Sequence, residues 1–355
     1  MSNNSGAIGF GGFLLGLGVG YIVFRQLSLT FNDAAWVLII IGVAIVLSAI
    51  LRSVSPRLGL HRVVGGLTGG LILALILTQG FNIFTGGFNI GNPFLPYSKT
   101  ETKTYSGPAV KDAISLKLGS MNGEITLSTW NKKEFSITST ITARGLTQQE
   151  ADNNYANLGK DLINTETSSQ QSLTIIYNSQ ILINNPYQIK VDVKLPVGAL
   201  LELDLTTSNA MIVITDVKGG TVNLHTSNSA IRLNNVVANK IVGETSNSQI
   251  TGVVEASTCD LLTSNSQITI QVGSGKSGVY SLQTSNSNID VTLPAVECRL
   301  DASTNNSDVT FSIPNFVYSR DTKTSKAGQT SGFDSAPIRV SVNAQTSNSG
   351  VRIHR

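Results

Sequence analysis

From about residue 200 to the C-terminus, apolar and polar residues alternate in short runs that restart at near-constant spacing. Each run is keyed by the tetrad Thr-Ser-Asn-Ser. It is intact at 226–229, 245–248, 263–266, 284–287 and 346–349, with variants at Thr207-Ser208-Asn209-Ala210 and Thr304-Asn305-Asn306-Ser307. From Asn209 through Asn228, Asn247, Asn265, Asn286 and Asn306 to Asn348 the steps are 19, 19, 18, 21, 20 and 42 residues. Six residues before the Asn stand Leu203, Val222, Ile241, Cys259, Tyr280, Leu300 and Val342. Three residues after it stand Ile212, Ile231, Ile250, Ile268, Ile289, Val309 and Val351. Alternation at period two predicts strands with one face inward. A unit this short cannot bury a core alone, so successive units must stack, which predicts a β-solenoid of about eight irregular rungs.

The apolar phase slips by one residue just after each Asn, which predicts a corner there, and Asn tolerates the left-handed backbone such a corner can require. The phase places the Asn and the Thr two residues before it on the inward side. Equivalent Asn side chains on adjacent rungs lie about 4.8 Å apart, close enough to bond amide to amide. The predicted ladder comprises Asn122, Asn209, Asn228, Asn247, Asn265, Asn286, Asn306 and Asn348. Asn122 joins because Leu116, Leu118, Ile125 and Leu127 repeat the frame around it.

Two stretches break the pattern. Between Asn122 and Asn209 the periodicity predicts strand 133–142, a helix near 147–163 and strands 172–178 and 187–195. Thr147 with Glu150 three residues on has the form of a capping box. The segment 316–336, rich in Ser, Thr, Lys and Gly, predicts an exposed loop.

The N-terminal quarter reads differently. Uncharged apolar stretches at about 6–24, 34–51 and 63–84 predict an all-α transmembrane domain of three helices over 1–92. Gly12, Gly16 and Gly20, and the pairs Gly65/Gly69 and Gly66/Gly70, are spaced for close helix approach. Arg52, Arg57 and Arg62 between the second and third stretches put that loop in the cytoplasm by the positive-inside rule. The expected topology is a multi-pass cell-membrane protein in contact with membrane lipid, with a cytoplasmic N-terminus. A linker at 93–108 would then lead to an extracytoplasmic domain at 109–355.

Charge follows the same division. Residues before 93 hold four Arg and one Asp, and the remainder holds 21 basic and 21 acidic residues. The basic balance lies outside the repeat domain and gives no footprint for nucleic acid. Candidate chemistry is sparse. His225 and Glu244 share an offset on neighbouring rungs and read as a surface pair. Cys259 and Cys298 sit at unequal offsets two rungs apart, beyond disulfide reach, so free thiols are expected. Asp260 and Asp301, and Asp290 and Asp308, do not converge as a glycosidase pair requires. No catalytic, cofactor-binding or metal-binding set is expected. Asn305 in Asn305-Asn306-Ser307 is a possible glycosylation acceptor.

The run KLPVGALLELDLTTSNAMIVI, the recurring TSNS corners and the closing APIRVSVNAQTSNSGVRIHR resemble the bacterial and archaeal "putative adhesin" domain family over about 110–355. The resemblance implies a β-solenoid behind membrane helices and supplies no catalytic residues. Many members carry Gly after the corner Asn; here Gly123 alone keeps that form. The function expected is a non-enzymatic adhesion, interaction or scaffolding module. Its expected partners are an envelope polymer, a surface protein or a second copy. The alternatives are an envelope-stress sensor or accessory subunit of a membrane signalling system, and a glycan-active β-helix enzyme.

Overall fold

The computed structural model describes residues 10–19, 21, 60–79, 95–120, 122–177 and 186–355. The chain divides into two compact units, Met1–Pro96 and Tyr97–Arg355.

In the first unit a helical stretch at 10–19 lies against α1 (Leu60–Gln79). Contact is backbone to backbone. An added Cβ at Gly12 would fall 2.6 Å from the Val63 carbonyl oxygen, one at Gly16 2.2 Å from that of Leu67, and one at Gly70 2.1 Å from that of Phe13. Glycine spacing here serves packing within the unit.

The expected transmembrane domain and multi-pass location are overturned: among the described residues no helix is long and apolar enough to cross a membrane. α1 has 20 residues, but it starts at Leu60-His61-Arg62 and includes four glycines, Thr68 and Gln79. Glycine adds helix length without apolar area. The stretch 34–51 lies outside the described residues, as do 6–9 and 80–84. The cytoplasmic N-terminus and the extracytoplasmic placement of 109–355 rested on the spans and fall with them.

The second unit is almost entirely strand. Its first part holds β1 (Tyr97–Pro108), β2 (Ala113–Gly119), β3 (Ile125–Trp130), β4 (Glu134–Gly145), α2 (Gln148–Asn157), β5 (Ile163–Glu166), β6 (Gln170–Ile176) and β7 (Tyr187–Pro196). The middle holds β8 (Leu200–Thr206), β9 (Ile212–Thr215), β10 (Lys218–His225), β11 (Ile231–Thr245), β12 (Ile250–Thr263), β13 (Ile268–Val272) and β14 (Gly278–Gln283). The last part holds β15 (Ile289–Thr292), β16 (Glu297–Ser303), β17 (Val309–Ser312), β18 (Phe316–Asp321), β19 (Ser325–Thr330), a 3-10 turn at Phe333–Ser335, β20 (Arg339–Gln345) and β21 (Val351–His354).

Parallel pairing stacks these strands as coils, in register except for one-residue shifts between Gly219 and Val222 and between Leu233 and Val236. One side runs β6–β2–β8–β10–β11–β12–β14–β20–β16. The other runs β7–β3–β9–β11–β12–β13–β15–β21–β17. β11 and β12 each turn mid-length and serve both sides. The alternate residues of both sides close on one apolar core, with Leu116, Leu203, Val222, Ile241, Cys259, Tyr280, Val342 and Leu300 in a single buried column.

Stacking order departs from chain order at both ends. The coil around Asn348 does not follow that of Asn306. β20 lies between β14 and β16, and β21 between β15 and β17, so the C-terminal residues fill a gap left one rung earlier. The segment 316–336, expected as a loop, forms the hairpin β18–β19 instead. β19 pairs antiparallel with β16 and covers the end of that side. The expected linker is corrected likewise: from Tyr97 onward it is β1, antiparallel to β4, which is antiparallel to β7. α2 carries the capping-box start, with Thr147 Oγ1 accepting from the Glu150 amide and Glu150 Oε2 from that of Leu146.

Gly123 shows why one corner differs from the rest. A Cβ there would lie 1.0 Å from the Ile189 carbonyl oxygen, where β7 closes over the first coil. The other corners hold Ala210, Ser229, Ser248, Ser266, Ser287, Ser307 and Ser349 at that place. Gly123→Ser is expected to cost at least about 4 kcal/mol in urea denaturation, because a backbone must move. Ser248→Gly should cost only about 1 kcal/mol, the entropy of an added glycine.

Burial pushes the phenols of Tyr177 and Tyr280 up to about 12. In the unfolded chain they ionise near pH 10. Between those values the folded state binds more protons, so stability must fall as pH rises. Thermal denaturation between pH 7 and 11 should be flat at first and lose stability from about pH 10, less so in Tyr177→Phe.

Candidate functional site

The repeated corner is the feature that the whole solenoid shares. Seven amide–amide bonds join the ladder. Asn209 Nδ2 donates to Asn122 Oδ1, Asn228 to Asn209, and Asn247 to Asn228, each at 2.7 Å. Asn265 donates to Asn247 and Asn286 to Asn265, at 2.8 Å. Asn348 then donates to Asn286, and Asn306 to Asn348, at 2.7 Å. The order again places Asn348 before Asn306.

The ladder is on the outside. All its members but the half-buried Asn122 are exposed or nearly so, and the inward placement expected from the apolar phase is corrected. The phase change begins at the Thr, one step earlier than the alternation suggests. Nor do the ladder residues take left-handed backbone. Among the described residues positive φ outside glycine belongs to Asp216, Asn235 and Asn315. Asp216 and Asn235 form another corner, where Asn235 Nδ2 donates to Asp216 Oδ1 at 2.8 Å.

The buried column is threonine. Thr226 and Thr263 are 0 % exposed, and Thr207, Thr245, Thr284, Thr304 and Thr346 are also buried. From Thr226 onward each hydroxyl donates across one rung to the carbonyl just past the neighbouring corner Asn. Thr245 reaches Ser229 at 2.9 Å, Thr263 reaches Ser248 at 3.0 Å, Thr284 reaches Ser266 at 2.9 Å and Thr304 reaches Ser349 at 2.8 Å. The corner backbone is bonded as well. The amides of Ser246 and Asn247 both donate to the Ser227 carbonyl, and those of Ser264 and Asn265 to the Ser246 carbonyl. Ser120, which stands for Thr in the first coil, is buried with no partner for its Oγ among the described residues.

The remaining candidates separate. His225 Nδ1 lies 3.5 Å from Glu244 Oε2, both about half exposed. The threaded C-terminal coil makes a pair that the sequence order hid: His354 Nε2 is 3.1 Å from Asp290 Oδ1 and 3.4 Å from Thr292 Oγ1. Both contacts fall on one ring nitrogen, so His354 does not bridge an orienting carboxylate and a nucleophile as a triad histidine does. Asp260 and Asp301 are separated by Ser281 and Asn343 along one outward column. Among the described residues no three His, Cys, Asp or Glu side chains gather to hold a metal. Cys259 and Cys298 are free and buried, and burial pushes both thiols up. The inserted coil sets them three rungs apart. Asn305 is exposed beside the ladder.

Four charged partners rim the far end. Arg320 bonds Asp301, and Arg299 reaches Asp334 at 3.3 Å while stacking over Phe333. These contacts fasten the β18–β19 hairpin.

No family model matches the chain, and no curated protein matches it. Among solved structures it is similar to a "putative cell adhesion protein" from Clostridium sporogenes, with TM-score 0.37 and 12% identity over 73% of this chain and 99% of that one. It is also similar to a "putative adhesin" from Bacteroides fragilis, with TM-score 0.36 and 13% identity over 73% and 98%. A "putative adhesin" from Parabacteroides distasonis gives TM-score 0.31 and 11% identity over 72% and 97%. Those names describe those proteins. At these identities and TM-scores the likeness carries no argument here, and the fold stands on the chain's own strand pairing.

Thr263→Val keeps the shape and removes the hydroxyl, so it should destabilise by about 1–2 kcal/mol in urea denaturation. Asn265→Ala should cost less than about 1 kcal/mol, because water reaches the freed amides of its neighbours. Ser120→Ala should be neutral or stabilising, since its hydroxyl is buried without return.

Proposed function

We propose that the chain is a non-enzymatic adhesive or scaffolding module that binds extended, oxygen-rich polymers such as envelope glycans along its corner rail. The observation that carries this reading is the Asn column, continuous over eight coils, bonded to itself, exposed from Asn209 onward and flanked by serine on both sides in five of the coils. In the ladder each Asn uses one amide N–H and its carbonyl. The second N–H points away from the ladder bond, and among the flanking serines the Ser349 hydroxyl is already taken by Asn288 Oδ1. Donors of one kind thus repeat at about 4.8 Å along a line, which suits a repeating ligand better than a single small molecule. The rail is also rigid before binding, so little ordering entropy is lost on contact.

The test is co-sedimentation of the full chain with insoluble glycans, including cell-wall material. Wild-type protein should pellet with at least one glycan. Ser246→Arg with Ser264→Arg should abolish that while circular dichroism stays unchanged, because long side chains then cover the rail without touching the ladder bonds. His225→Ala with Glu244→Ala should bind normally. Wild-type protein that stays in the supernatant with every glycan, or a rail variant that binds as well as wild type, would overturn the reading.

A further inference from the structure

The solenoid has four sheet edges among the described residues, and three are protected. β5 and β17 are four residues long. β18 has six residues and a register shift between Tyr318 and Arg320. Shortness and bulges are the usual devices against edge-to-edge pairing. β1 has neither. It is 12 residues long, pairs with β4 in unbroken register from Tyr97 to Pro108, and no described strand covers its other edge.

The side chains of β1 alternate strictly. Thr100, Thr102 and Thr104 point to the exposed outer face, opposite Thr142, Thr140 and Thr138 of β4. Their hydroxyls bond across the strands at 2.9, 3.4 and 3.2 Å. The other face carries Lys99, Glu101, Lys103 and Tyr105, with Lys99 bonded to Glu101 at 2.8 Å and Lys103 to Asp161 at 3.1 Å.

This strand is complementary to itself. We infer that β1 pairs antiparallel with β1 of a second copy about a two-fold axis through Thr102, joining the two sheets edge to edge. In that register Thr102 meets Thr102, and Thr100 meets Thr104, so the cross-strand threonine pairs of β1 and β4 continue into the second copy. On the other face Glu101 meets Lys103 twice, once on each side of the axis, and Lys99 meets Tyr105. Opposite charges directly across a strand pair stabilise it, and like charges oppose it. A register centred on Glu101 would set Glu101 against itself and Lys99 against Lys103. One centred on Thr100 keeps a charge pair but shortens the overlap to the first half of the strand. A two-fold axis also closes the assembly, since each copy offers β1 once and, among the described residues, no further edge of that length.

The inference deepens the reading of the chain as an interaction module by naming one partner, a second copy. Its test is independent of glycan binding: a monomer that sediments with glycans would overturn only the self-pairing. A dimer that binds no glycan would overturn only the rail.

The experiment is sedimentation velocity on the full chain, with charge variants. Wild type should be dimeric at micromolar concentration. Glu101→Lys and Lys103→Glu should each weaken dimerisation by about tenfold or more, since each sets like charges opposite twice. The double variant, Glu101→Lys with Lys103→Glu, should recover the dimer, because opposite charges then face each other again with their signs exchanged; recovery separates pairing from simple misfolding. Thr102→Cys should form a disulfide-linked dimer on mild oxidation. The only other thiols, Cys259 and Cys298, are buried. Wild type that stays monomeric at tens of micromolar, a double variant no better than the singles, or cross-linking at Thr100→Cys and not at Thr102→Cys would overturn the inference.

Discussion

A solenoid corner has to turn the chain without leaving buried peptide groups unbonded. Here the corner between the two sides is held from within by a threonine hydroxyl and from without by an asparagine amide, and the two do different work. The threonine lies in the apolar interior, where an unmet carbonyl costs about 1–3 kcal/mol, and its hydroxyl supplies the missing donor to the next coil. Thr226, Thr245, Thr263, Thr284, Thr304 and Thr346 repeat that bond rung after rung. The Asn bonds lie in water and contribute little each. Their value is register: an amide that donates to one neighbour and accepts from the other can do so only when corners align.

Around that corner the chain builds a core that no single repeat possesses. One column of large apolar residues before the corner and one after it, both covered, run the length of the second unit. At its ends the stacking rule meets its limit, because a terminal coil exposes bonding edges. The chain answers on one end with β4 and β1 and with β5, and on the other with β19 and β18. It also threads its C-terminal coil inside the stack, so that the last residues are clamped between two coils. Among the described residues the edge of β1 is the one long opening left.

Much of this was legible from residues. The apolar columns at six before and three after the Asn are buried where the alternation put them, and the Thr column is buried with them. The reading failed where a side chain's face depended on a neighbour in space. Asn lies one residue past the point where the chain leaves the sheet, so period-two counting carried it inward. The place of the Asn348 coil is set by pairing between residues far apart in sequence, and nothing in a spacing of 42 distinguishes an appended coil from an inserted one. β18 and β19 were hidden because one face of a short capping hairpin is wet, leaving a Ser- and Lys-rich string. In the N-terminal unit, hydropathy counted glycine as helix length, whereas the glycines at 12, 16 and 70 bring two helices together.

The account rests on corners being part of the hydrogen-bonded ladder although their side chains face water. Native-state hydrogen exchange of the full chain tests this most directly. The amides of Asn247, Asn265, Asn286 and Asn348 each donate to a carbonyl one coil away. They should therefore exchange as slowly as the strand amides of Leu261 and Leu282, and open with them as one cooperative unit. Corner amides that exchange at the rate of exposed loops while the strands stay protected would contradict it.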